Sequence, residues 1–103
     1  MHPSVECRDK VEGIGVDLNR NYDFAFAYDN KGSNSNPCEE DYRGPYAFSE
    51  PATRQIKNFL EKTEEGQSVK IALNFHAWGN LLVYPFNYVD QSLDAEKLLS
   101  FSP

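Results

Sequence analysis

Ser49 to Phe75, SEPATRQIKNFLEKTEEGQSVKIALNF, carries a helix signal and then a strand signal, and its reading decides the fold class. Ser49 offers a hydroxyl that can cap, Glu50 an acid for the positive end of a helix, and Pro51 a ring tolerated in the first turn. A helix is therefore predicted to begin here. Ala52, Ile56, Phe59 and Leu60 fall at i, i+4, i+7 and i+8 and form one apolar stripe, which leaves Arg54, Lys57, Asn58 and Glu61 on the water side. Gly66 is the expected stop. Val69 to Phe75 is short, largely apolar and β-branched at its start, the pattern of a strand buried on both faces of a sheet. Leu81-Leu82-Val83-Tyr84 is a second such run, ended by Pro85.

Upstream of this stretch, Gly13 to Leu18 alternates well enough to predict a short strand, and Pro3 to Glu12 is polar without a period, which reads as loop. Tyr28 to Pro37 is dense in Asn, Ser, Gly and Pro, each of which favours turns for its own backbone reason, so a surface loop is expected. Internal repeats and low-complexity tracts are absent. The order strand, helix, strand, strand predicts an α/β architecture, part of a mixed β-sheet flanked by helices.

The chain has 103 residues, enough for one core at most. Sixteen acidic against ten basic side chains give a net charge of −6, the wrong sign for a nucleic-acid or anionic-membrane binder. Lys70 and Asn74 interrupt the most apolar run, which falls far short of the roughly 18 apolar residues of a membrane span. The N-terminal residues show neither the basic nor the apolar region of a secretory signal. Cys7 and Cys38 are compatible with a disulfide in an oxidising compartment and equally with two free thiols.

His76 follows directly on the apolar strand, at the carboxyl end where open α/β sheets present binding groups. A histidine so placed serves either as a hydrogen-bonded structural residue or as a metal ligand, and no second ligand stands at i+3 or i+4. His2 and Glu6 form His-x-x-x-Glu in a loop, where that spacing has no reason to converge. Asp17-Leu18-Asn19-Arg20-Asn21-Tyr22 closes the first strand with an acid, two amides and a base in quick succession. The planar fork of Arg20 can grip a carboxylate through two bonds, with Asn19 adding a third, or it can pair at the surface with Asp17 or Asp23. Pro37 to Pro45 reads as an acidic patch or, more simply, a solvated turn. A phosphate-binding glycine loop and a Gly-x-Ser-x-Gly elbow are both absent.

Three blocks, GVDLNRNYDFAF (15–26), PCEEDYRGPYAFSEPAT (37–53) and FHAWGNLLVYPFNY (75–88), stand in one order with the helix between the last two. Together they resemble the zinc carboxypeptidases of the carboxypeptidase A type, and the resemblance covers most of the chain. It implies residues 1–103 as a partial catalytic domain of that family, with Zn²⁺ as cofactor and a peptide or protein with a free C-terminus as substrate. His76 corresponds to the third zinc ligand of the family. Asn19 and Arg20 correspond to the pair that binds the terminal carboxylate, and Ala77 and Trp78 to positions lining a substrate subsite, often across a non-proline cis peptide. The implied reaction is metal-assisted hydrolysis, in which zinc polarises the scissile carbonyl and a glutamate takes a proton from water. The resemblance also implies a Cys7–Cys38 disulfide and an extracellular or lysosome-like setting for the parent protein.

The departures are equally specific. The family places its first two zinc ligands in a His-x-x-Glu motif well before the Asn-Arg pair, and too few residues precede Asn19 to hold it. The oxyanion-stabilising arginine has no counterpart, since Arg8 stands in the wrong context. The family's substrate-covering tyrosine and general-base glutamate lie far beyond its third ligand, so Tyr88 and Glu96 are too near to serve. No catalytic acid, base or nucleophile is assigned within the chain, and the expectation is an internal fragment that is inactive alone.

Overall fold

The computed structural model describes Cys7, residues 15–83, Pro85 and Tyr88. Two helices carry the regular structure, α1 (Pro51–Lys62) and a one-turn α2 (Glu64–Gln67), preceded by a 3-10 turn at Leu18–Arg20. Pro51 takes the first helical position, as its missing N–H and fixed φ favour. Glu50 is the cap residue, but its side chain caps nothing. Ser49, expected as a capping hydroxyl, instead donates to Glu50 Oε2 (2.7 Å) and accepts from Asn21 Nδ2 (2.9 Å). Arg54 ties the approach to the helix by donating to the carbonyls of Phe48 (3.1 Å) and Ser49 (2.6 Å).

Gly66 does not stop α1. The helix ends at Lys62 because Thr63 takes an extended conformation (φ −114°, ψ 150°) and then caps α2, accepting from the Gly66 N–H at 2.9 Å. The Thr63 hydroxyl also donates to the Phe59 carbonyl (2.7 Å), satisfying one of the orphan acceptors at the end of α1. Gly66 has a different role: α2 folds back so tightly on α1 that a Cβ there would overlap the Phe59 carbonyl.

The sides of α1 also depart from expectation. Thr53 is its buried residue, at 1% exposure, and Lys57 and Asn58 are half-buried, while Ile56, Phe59 and Leu60 remain 42–48% exposed. The described chain therefore lays the polar side of the helix on its own body. The reason is chemical: Thr53 hydrogen-bonds a buried amide, and the Lys57 ammonium sits 4.6 Å from the centre of the Phe48 ring.

Among the described residues no strand forms. Residues 15–17 lie outside regular structure or in a bend, because Asp17 turns the chain into the 3-10 helix by accepting from the Asn19 N–H (3.0 Å). Gly13 and Ile14 of that expected strand lie outside the described residues. Residues 69–75 and 81–83 are exposed and without a ladder, and Tyr84 lies outside the described set. A strand needs a neighbour to take its N–H and C=O groups, and none of the described residues supplies one. One isolated parallel bridge, Asn34 with Tyr42, is the extent of β pairing among them. The mixed sheet is thus not seen in this part of the chain.

Order between residues 15 and 50 rests on polar side chains bonded to backbone. Asp29, Asn34 and Asn36 each accept from the N–H two residues on, at 2.9–3.0 Å, which fixes successive turns of the expected surface loop, and Asp17 does the same at the 3-10 turn. Arg43 is buried at 7% and donates to the Asp29 carbonyl (2.8 Å), Ser33 Oγ (3.1 Å) and Asn30 Oδ1, so the loop hangs on one guanidinium. The segment expected to be a solvated turn therefore contains buried Tyr42, Arg43 and Gly44. Cys7 and Cys38 are joined, with their Cα atoms 5.4 Å apart and a sequence separation of 31.

Candidate functional site

Asn19 and Arg20 project from the 3-10 turn, both exposed, and the turn itself buries none of its residues. Asp17 meets Arg20 Nε at 3.3 Å, the surface pair that the sequence allowed; Asp23 takes no part in it. At this exposure the pair contributes little stability, but it fixes one edge of the guanidinium. Among the described residues no hydrogen bond takes up the two terminal nitrogens of Arg20, which leaves its bidentate edge available to an anion.

The two residues form one wall of a cavity of about 830 Å³, completed by the turn-rich segment 24–33 and Tyr88. Phe24, Tyr28 and Tyr88 meet edge to face within it, with ring centroids 5.5 and 5.3 Å apart. Ala25 and Ala27 hold φ of 53° and 55°, left-handed values that turn the backbone sharply around this wall. Two cations, Arg20 and Lys31, and one acid, Asp29, lie on the lining. A concave surface with aromatic walls and a guanidinium on one side can hold an anion attached to an apolar group.

His76, Ala77 and Trp78 are exposed, Trp78 at 94%, and do not belong to that lining. No cis peptide bond occurs among the described residues, so the Ala77–Trp78 bond is trans. Nor does any group of three or more His, Cys, Asp and Glu side chains come together there in a way that could hold a metal ion. One imidazole does not make a zinc site, and the described residues do not fit a closed three-ligand centre.

Sequence reasoning passed over the residues that hold the turn in place. Asn21 is fully buried; its amide nitrogen donates to the Arg43 carbonyl (2.9 Å), the Tyr46 carbonyl (3.1 Å) and Ser49 Oγ (2.9 Å). Its amide oxygen accepts from Thr53 Oγ1 (2.8 Å) and the Glu50 N–H (3.3 Å). The one available signal was the crowding of polar residues around Arg20, which does not tell a buried amide from an exposed one.

The zinc carboxypeptidase family model matches residues 4–102, nearly the whole chain. The chain belongs to the zinc carboxypeptidase family. Carboxypeptidase A1 of Mus musculus is 39% identical over 95 residues, covering 88% of this chain and 22% of that protein. Carboxypeptidase A5 of Homo sapiens is 45% identical over 86 residues, covering 84% and 17%. A zinc carboxypeptidase of Simulium vittatum is 43% identical over 77 residues, covering 75% and 24%. The chain thus spans about a fifth of the length of the curated relatives it matches. No solved structure matches it significantly.

Proposed function

We propose that residues 1–103 are part of the catalytic domain of a zinc metallocarboxypeptidase that hydrolyses the C-terminal peptide bond of peptides and proteins. The observation that carries this reading is the Asn19–Arg20 pair on the cavity wall, with Arg20 steadied through Nε by Asp17. Asn19 and Arg20 clamp the free carboxyl end, Ala77 and Trp78 line a subsite for the substrate chain, and His76 supplies one zinc ligand. On this reading the 103-residue chain by itself is hydrolytically inactive, since a single imidazole does not retain zinc against water. The net charge of −6 speaks against a nucleic-acid partner, and the disulfide suits an extracellular or lysosome-like setting.

The test is steady-state hydrolysis of a blocked dipeptide by the natural polypeptide that carries this chain. Arg20→Ala is expected to lower kcat/KM for free carboxyl ends on the order of 100-fold, because a site built around a charged bond loses its partner. Unchanged cleavage would remove the clamp assignment. His76→Ala is expected to abolish zinc-dependent turnover.

The second reading is a catalytically dead domain of the same fold that binds peptide C-termini through the same Asn19–Arg20 wall. Stoichiometric zinc retained by the natural polypeptide after dialysis excludes it; loss of zinc with retained peptide binding excludes the enzyme.

A further inference from the structure

We infer that Asn21 is the positioning residue of the carboxylate clamp, an inference that rests on the clamp reading of Asn19 and Arg20. The 3-10 turn that carries them has no buried residue of its own, so packing does not hold it. Its internal closure is local: Arg20 N–H to the Asp17 carbonyl (2.9 Å), Asn21 N–H to the Leu18 carbonyl (3.2 Å), and the Asp17 carboxylate meeting the Asn19 N–H (3.0 Å) and Arg20 Nε (3.3 Å). Two anchors fasten it to the body. On the leading side the Asp17 N–H donates to the Tyr42 carbonyl (2.8 Å). On the trailing side Asn21, directly after Arg20, makes every bond its amide allows.

The reach of that amide is what matters. Its two N–H groups are shared among Arg43 O, Tyr46 O and Ser49 Oγ, and its oxygen accepts from the Glu50 backbone and the Thr53 hydroxyl. The Asn21 carbonyl accepts from the Phe48 N–H at 2.7 Å. One side chain therefore refers the clamp to both the 43–49 segment and the first turn of α1. A fully buried amide so surrounded has no alternative partners, and a slip of its position must carry the peptide of Arg20 with it. Bidentate recognition tolerates little misplacement, so the anchor controls affinity for the anion without touching it.

The probe is N-acetyl-phenylalanine, compared with N-acetyl-phenylalanine amide, titrated into the natural polypeptide that carries this chain while the Arg20 Nε–H resonance is followed. The wild-type chain is expected to respond to the carboxylate and not to the amide. Asn21→Ala is expected to weaken carboxylate binding about tenfold and to erase the preference over the amide. Should that variant fail to fold, Thr53→Val removes only the hydroxyl that meets Asn21 Oδ1; it is expected to weaken binding about threefold, and Thr53→Ser to restore it. A residue with a merely structural role would lower the melting temperature and leave the carboxylate-over-amide ratio unchanged, and that result in Thr53→Val overturns the inference. A wild-type chain that ignores the carboxylate overturns the clamp reading itself, which is a separate and distinguishable failure.

Discussion

At Gly44 the backbone holds φ of +88°, and a Cβ added there would lie 2.6 Å from Asn21 Nδ2 and 2.7 Å from Ser49 Oγ. Both the left-handed conformation and the close approach of the Asn21 amide require glycine. Gly44→Ala is expected to cost about 1–3 kcal/mol in chemical denaturation followed by circular dichroism. Gly32→Ala is the control, because nothing lies within 4 Å of a Cβ at that position and its cost is expected to stay within about 0.5 kcal/mol. An equal effect at the two glycines would mean that the amide cluster does not govern this region. At this scale the sequence was legible for the surface pairing of Arg20 with Asp17 and illegible for Asn21, Arg43 and Thr53. The three are polar residues that composition assigns to the surface, and each is buried because groups far along the chain complete its hydrogen bonds, backbone carbonyls for Asn21 and Arg43 and the Asn21 amide for Thr53.

The α1–α2 corner turns on Thr63, whose hydroxyl both donates to the end of one helix and caps the start of the next. Thr63→Ala is expected to cost about 1 kcal/mol, and Thr63→Ser, which keeps the oxygen, much less. Hydrogen exchange at the Gly66 amide reads the same change locally, since that N–H loses its acceptor. The start of α1 was legible because Pro51 has few places to stand in a helix, whereas its end was not, because Gly66 looks like a stop and is instead a close contact. The apolar stripe of Ile56, Phe59 and Leu60 was read correctly as a stripe, yet the described residues leave it half open while Thr53 and Lys57 pack inward. Periodicity reports which residues are alike and not which neighbour they meet. The same holds for residues 69–75, whose composition suits a strand and whose ladder partner is not among the described residues.

At the scale of the molecule, the buried set among the described residues is small and mostly polar: Tyr42 is its large hydrophobic, beside Asn21, Arg43 and Thr53. Cohesion depends correspondingly on the Cys7–Cys38 bridge, which restricts the unfolded chain by closing a loop of 31 positions. On the chain-entropy model that restriction is worth about 3–4 kcal/mol. Replacing both cysteines with serine is expected to lower the denaturation midpoint accordingly, and an unchanged midpoint would show that the bridge joins segments already held together. Ile71, Leu73, Phe75 and Trp78 are meanwhile 73–94% exposed, more apolar surface than an isolated chain in water ordinarily leaves uncovered. Light scattering is expected to show concentration-dependent association, reduced by Leu73→Glu; a monodisperse wild-type chain at high concentration would contradict it. The family was legible from three blocks of sequence and is borne out across residues 4–102. Neither a sheet nor a metal centre is seen among the described residues, and the residue pattern of these blocks does not by itself carry the geometry of either. The cysteine bridge has one more effect. The exposed stretch from Ala27 to Gly32 lies inside the arc it closes, so a protease that nicks the chain there releases nothing: the Leu18–Arg20 turn and the guanidinium-pinned loop remain one covalent body until a reductant parts them.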